Sequence, residues 1–221
     1  MKCEKEGFLK WLPGLFRPAV RNFRLLNRDY GHFRTMRERA SVDREGRPLP
    51  WYTYPAIEFV KQLDFSNRDI FEYGAGYSSL FYAARCRRIT SVEDNRRWFE
   101  TIRPRAPANC EILWAATPEA YGGAILQYPH AFDVVIIDGS YREQCCVPAL
   151  QKLKPGGMII LDNSDHHKEC VAILAQADLI QVDMAGFGPQ NGYVWATSFF
   201  LSREFNFQSA QPHRPTLSVG P

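Results

Sequence analysis

Phe71-Glu72-Tyr73-Gly74-Ala75-Gly76-Tyr77-Ser78 is the stretch that decides the fold. Residues 69–73 form a short, apolar, strand-forming run, and a helical period begins at Ser78, so the two glycines fall between a strand and a helix. Glycine there lets a ligand approach the backbone, and the first turn of a helix offers N–H groups without intrahelical partners. Dinucleotide sites, phosphate sites and plain tight turns all use this arrangement, so the glycines alone leave the ligand open.

Downstream the same unit repeats. Candidate strands at residues 69–73, 89–93, 111–115, 132–138 and 157–162 are each followed by a candidate helix, at 78–85, 96–103, 117–126, 142–153 and 166–176. Such βα units wind a parallel sheet. The alternation then stops: 179–184 and 194–201 both read as strands, and AGFGPQNG between them is made of turn formers. Two consecutive strands form an antiparallel hairpin. The prediction is therefore an α/β fold: a Rossmann-like, seven-stranded, mostly parallel sheet with a terminal antiparallel hairpin and helices on both faces. Extra helices at 15–27 and 55–63 belong to an N-terminal extension, residues 1–68. Residues 69–203 form the ligand-binding domain, and the polar, proline-bearing residues 204–221 are expected to be a loose tail.

With 221 residues, 45% of them hydrophobic, the chain can bury one full-sized core. Its net charge of +3 is uneven: residues 1–50 hold 12 Lys/Arg and 6 Asp/Glu, net +6, which leaves 15 against 18 and net −3 for the rest. An acidic body is not expected to bind nucleic acid. The 6 cysteines lack the paired spacing of a zinc site and are too sparse for a disulfide scaffold, so reduced thiols are expected. Lys10, Pro13, Arg17 and Pro18 interrupt the apolar stretch near the start, and no run approaches the roughly 20 apolar residues of a membrane span. A cytoplasmic location follows as the expectation.

Glu72 narrows the choice of ligand. At the strand tip its carboxylate is expected to face the ligand, repelling a pyrophosphate and attracting a cation. S-adenosylmethionine, with an ammonium and a sulfonium, suits that field. The third glycine of the dinucleotide fingerprint is replaced by Ser79. Glu93, 19 residues after Gly74, is placed to accept from both ribose hydroxyls, which supports a nucleoside without choosing it. A solvated strand-end role for Glu72 and a surface role for Glu93 stay open, and Asp94 is a candidate helix cap.

Strands four and five end in Asp138 and in Asp162-Asn163, with Asp165 beyond. Carboxyl ends of neighbouring strands are where open α/β folds hold ligands. Three hard oxygen donors there suit Mg2+ or a similar divalent ion, which would hold an acceptor's hydroxyl oxygens and lower the pKa of the attacking one. Equally, Asp162-Asn163-Ser164 could be a turn and cap, with a protein base removing the proton.

The ordered set EYGAGYS, SVED, FDVVIIDGS and LKPGGMIILDNSD resembles the class I S-adenosylmethionine-dependent methyltransferases over roughly residues 69–203. Its closing hairpin is typical of that superfamily. The IIDG and LDN pair is similar to the cation-dependent O-methyltransferases of the catechol and caffeoyl-CoA type, a resemblance that implies Asp138, Asp162 and Asn163 as metal ligands. Glu72, Gly74, Gly76, Tyr77, Ser78, Glu93 and Asp138 are the expected cofactor contacts. The chain departs from that pattern twice. Gly76-Tyr77-Ser78 comes two residues sooner than in the family, and Tyr141 replaces the lysine often found three residues after the first metal Asp. Asp138, Tyr141 and His166 are the catalytic candidates, with Arg142 and His167 close in sequence; histidine has the suitable ordinary pKa for a base.

The function expected is O-methylation of a small hydroxylated acceptor, a saccharide or natural product. A dinucleotide oxidoreductase and a catalytically silent cofactor-binding scaffold are the competing readings. Residues 7–26 mix aromatic and basic side chains, suited to cover the acceptor pocket, touch an anionic membrane surface, or contact a second copy in a homodimer. Pocket cover or packing is favoured, because Pro13 and Pro18 are expected to break an amphipathic helix. Residues 49–54, with Trp51, Tyr52 and Tyr54, and residues 186–192 are further candidates to shape the pocket.

Overall fold

The computed structural model describes residues 13–212 and Pro215; residues 7–12 of the basic aromatic segment lie outside the described residues. Seven strands form one sheet: β1 (Asp69–Tyr73), β2 (Arg88–Glu93), β3 (Cys110–Trp114), β4 (Phe132–Ile137), β5 (Leu153–Asp162), β6 (Leu179–Gly186) and β7 (Trp195–Ser202). Their order is β3-β2-β1-β4-β5-β7-β6. The first five run parallel, and β7 lies antiparallel between β5 and β6. The predicted mostly parallel sheet and its hairpin are both present.

Every residue of β1 and β4 is buried, as expected for central strands covered on both faces. Successive side chains point to opposite faces, which divides the core into two layers. Ile70, Ile89, Val134, Ile136 and Ile160 pack beneath α3 (Tyr54–Lys61) and α4 (Tyr77–Ala83). On the other face, Phe71, Tyr73, Val135, Ile137 and Ile159 meet α6 (Pro118–Gly123), α7 (Arg142–Gln151) and α8 (Lys168–Leu174). The chain turns to β2 and β3 on one side of β1 and to β4 and β5 on the other. That reversal between β1 and β4 opens a crevice at their carboxyl ends.

Thr53 caps α3, and Asn95, rather than Asp94, caps α5 (Arg96–Ile102) by accepting from Trp98 N–H at 3.1 Å. Among the described residues, the N-terminal extension holds α1 (Phe16–Arg24), continues through one π-helical turn, Leu25–Asp29, and leads to α2 (His32–Glu38). The helix break expected at Pro18 does not occur. Pro18 lies in the first turn of α1, where its missing N–H has no intrahelical acceptor to lose.

The loose tail also needs correction as far as Ala210. Phe207 is buried, stacks on Phe205 with ring centroids 4.9 Å apart, and lies under the Arg68 guanidinium at 4.1 Å. Asp64 N–H donates to Gln208 O and Ala210 N–H to Gln62 O, each at 2.9 Å, so this segment is tied to the connection between α3 and β1. The five described cysteines are unpaired and buried, and no described helix is long and apolar enough to cross a membrane.

Candidate functional site

A cavity of about 840 Å³ opens at the carboxyl ends of β1, β2, β4 and β5. Its floor is the glycine loop, and Gly74, with φ 98°, is in a conformation that favours glycine. Side-chain contacts hold this loop. Ala75 N–H donates to Glu93 Oε2 at 3.1 Å, Trp98 Nε1–H to Ala75 O at 2.6 Å, and Gly76 N–H to Ser79 Oγ at 2.9 Å. Gly74, Gly76, Tyr77, Ser78, Glu93 and Asp138 all line the cavity.

Glu72 does not line it. On β1 its side chain shares the face of Ile70 and lies beneath α4, where Oε2 accepts from Ser91 Oγ at 2.6 Å and from Ser79 Oγ. Oε1 is buried without a hydrogen-bond partner. Burial pushes this carboxyl up to about 7 against the opposing effect of the serine hydroxyls. Glu72 therefore supports the loop from below and does not face the cavity.

Glu93 is one acid that does face the cavity. Besides Ala75 N–H, its carboxylate takes Asp94 N–H at 3.1 Å and Asn95 N–H at 2.7 Å, both on Oε1. A carboxylate has about four lone-pair positions, so one on Oε2 is left for a ligand hydroxyl. Asp138 is the second. It follows β4, faces the cavity, and is raised by burial to about 6 although the Arg142 guanidinium lies 3.2 Å from Oδ1.

Asp162 also lines the cavity, but its carboxyl points to β7: Trp195 Nε1–H donates to Oδ1 at 3.0 Å and to Oδ2 at 3.2 Å, and Thr197 Oγ1–H donates to Oδ1. Burial and then the charge of Asp138 raise its pKa well above the ordinary range. Asp138, Asp162 and Asn163 share one wall, yet the set does not fit a divalent ion. The Arg142 cation already binds Asp138, the Asp162 carbonyl and, at 2.9 Å, the Gly139 carbonyl, and both Asp162 carboxyl oxygens accept hydrogen bonds from β7, which turns that carboxyl away from Asp138. Among the described residues, no group of three or more His, Cys, Asp or Glu is placed to hold a metal.

Two catalytic candidates fall outside the cavity wall. Tyr141 is 42% exposed and packs its ring edge-on against Tyr121, with centroids 5.8 Å apart. His166 follows a turn closed by its N–H to Asn163 O at 2.9 Å, which leaves the side chain 66% exposed beside Asp165. His167 does not line the cavity either. The rest of the cavity wall is formed largely by Arg39, Ser41, Trp51, Gln190, Asn191 and Tyr193. Of the pocket segments expected from the sequence, Trp51, Gln190 and Asn191 contribute, whereas Tyr52 and Tyr54 are core. Arg39 and Ser41 carried no sequence signal; only the docking of α2 against the 187–194 loop, through Gln190 N–H to Thr35 Oγ1 at 2.9 Å, brings their segment to the rim.

No family model matches the chain, and no curated protein matches it. Solved structures do. The precorrin-6y C5,15-methyltransferase of Geobacter metallireducens is 17% identical over 66% of this chain and 86% of its own, with a TM-score of 0.54. The O-methyltransferase TomG of Streptomyces achromogenes, solved with S-adenosylmethionine, is 18% identical over 65% and 74%, with a TM-score of 0.53. This chain has the class I methyltransferase fold. The N-methyltransferase NodS of Bradyrhizobium japonicum, in complex with S-adenosyl-L-homocysteine, is 17% identical over 84% of this chain and 98% of its own, with a TM-score of 0.50. At these identities the likeness to methyltransferases is one of fold.

Proposed function

We propose that the chain is an S-adenosylmethionine-dependent methyltransferase acting on a hydroxyl oxygen of a small acceptor, a saccharide or natural product. One observation carries the reading: Glu93 and Asp138 flank the glycine loop, and with Asp94 they set three carboxylates against the guanidinium groups of Arg39 and Arg142, Asp162 being turned to β7. That field favours a cationic nucleoside over a diphosphate. It restores, with different residues, the electrostatic selection expected of Glu72.

When bound, S-adenosylmethionine supplies a methyl carbon made electrophilic by its sulfonium. Glu93 offers its remaining lone pair to the ribose hydroxyls, and the glycine loop lets the ligand lie against the backbone. Asp138 takes the proton from the acceptor hydroxyl: a carboxyl held at about 6 is ionised at neutral pH and still basic enough to accept it. Arg142 fixes the position of that carboxylate. Trp51 and Tyr193 offer apolar ring faces beside the amides of Asn163, Gln190 and Asn191, a combination suited to a polyhydroxylated ring.

Calorimetry of the full chain is expected to show S-adenosylhomocysteine binding and no NAD binding; the opposite pattern overturns the proposal. In a screen of saccharide acceptors, turnover is expected to rise as pH passes about 6, and Asp138→Asn to lower it about 10²–10⁴-fold. Its S-adenosylhomocysteine affinity is also expected to fall, by less than the turnover, because Asp138 is part of the field that favours the cationic ligand. Activity that survives Asp138→Asn would assign the base elsewhere.

A further inference from the structure

The N-terminal helices present a surface that methyl transfer does not use. None of the residues of α1 is buried. At 100° per residue, Phe16, Ala19, Val20 and Phe23 fall on one side of α1, joined by Leu15, while Arg17, Arg21 and Arg24 lie together on its flank. Leu15 is 84% and Phe23 68% exposed, and α2 adds Phe33 and Met36, each more than half exposed. The core does not account for this helix, whose largest apolar side chains face outward.

We propose that α1 and α2 form a docking face for an anionic lipid surface. A short helix with a strong apolar side, an arginine flank and low mean hydropathy has the form of one that lies in the headgroup layer. Charge chooses this occupant over a second copy of the chain. Residues 13–50 hold nine arginines and four acids, net +5, and a symmetric dimer through this face would set the same positive patch against itself. Anionic headgroups instead strengthen binding roughly fivefold for each basic residue near the surface. The face also borders the cavity mouth: α2 ends at Arg39, which lines the cavity, and Thr35 is bonded to Gln190 on the rim. This inference goes beyond the methyl-transfer reading and does not depend on it.

Cosedimentation of the full chain with vesicles tests it. The protein is expected to pellet with phosphatidylcholine mixed with phosphatidylglycerol, at least about tenfold less with phosphatidylcholine alone, and less as salt is raised. Phe16→Asp combined with Phe23→Asp is expected to lower the partition about tenfold, and Arg24→Glu more than fivefold, because it reverses a charge. Both keep the wild-type melting temperature, since α1 buries none of its residues. The proposal is overturned if mixed vesicles do not pellet the chain, if the phenylalanine variant pellets like wild type, or if light scattering shows a dimer that this variant converts to monomer.

Discussion

Burial of Glu72 raises its carboxyl to about 7, while the unfolded chain ionises near the ordinary value of about 4.3. The folded state therefore keeps a proton that the unfolded state releases. This contribution to stability is fully present below the unfolded value, is lost as pH rises to about 7, and is flat above; its depth is on the order of 3 kcal/mol. Glu72→Gln is expected to reduce the fall in melting temperature across that window, and an unchanged slope would place the linkage in the other buried acids. The sequence put Glu72 at a strand end beside a glycine loop, which is correct, but the spacing does not say which side of the sheet a residue faces. Alternation from Ile70 sends it under α4, opposite Ser91 in the register of β1 and β2. Gly139 poses a second problem at this scale. A Cβ there would lie 2.0 Å from Tyr121 Oη and 2.8 Å from Gly74 Cα, so the ends of β1 and β4 touch through two glycines. Gly139→Ala is expected to destabilise by roughly 1–3 kcal/mol and to abolish S-adenosylhomocysteine binding. Gly123→Ala, with nothing within 4 Å, serves as its control in the same melting and calorimetry experiments.

At the scale of elements, β7 completes the site from the far side of β5. Register sets Asp162 opposite Thr197, and Trp195 reaches the same carboxyl, so the hairpin both closes the sheet and occupies an acid at the cavity wall. Trp195→Phe removes the N–H donor and shrinks a buried ring system; it is expected to cost at least about 1–3 kcal/mol in urea denaturation, the penalty for a buried polar group that loses its partner, with the lost packing added to it. A cost near zero would mean that water replaces the indole. Strands and hairpin were legible because β-branched runs bounded by Gly and Pro have few alternatives. The insertion of β7 between β5 and β6 was not, since pairing order depends on contacts far apart in sequence. For the same reason LDN read as a metal motif: the chain order shows Asp162 beside Asn163, while only the sheet shows Trp195 and Thr197. Pro18 was misjudged differently, as a proline matters by its position within the turn.

For the molecule as a whole, chemistry and anchorage lie at opposite ends of the sheet. Cavity-lining groups follow the carboxyl ends of β1, β2, β4 and β5, whereas the returning C-terminal segment packs where β1 begins. There Phe207 meets Phe65 edge-on, with centroids 5.6 Å apart, under Arg68, which also pairs with Asp133 at 3.2 Å. Polar composition after Ser202 hid this, because two aromatic residues in alternation are enough to dock a short segment while its remaining side chains stay in water. Phe207→Ala removes a buried ring at the margin of the core and is expected to cost about 3 kcal/mol. For a domain of this size that lowers the melting temperature by roughly 6–12 °C. S-adenosylhomocysteine affinity is expected to stay within about twofold, since well-separated sites add independently. If the melting temperature does not move, the segment is not docked as described; if affinity falls along with stability, the two ends of the sheet are coupled through β1 and the cavity is less independent of its anchorage than its geometry implies.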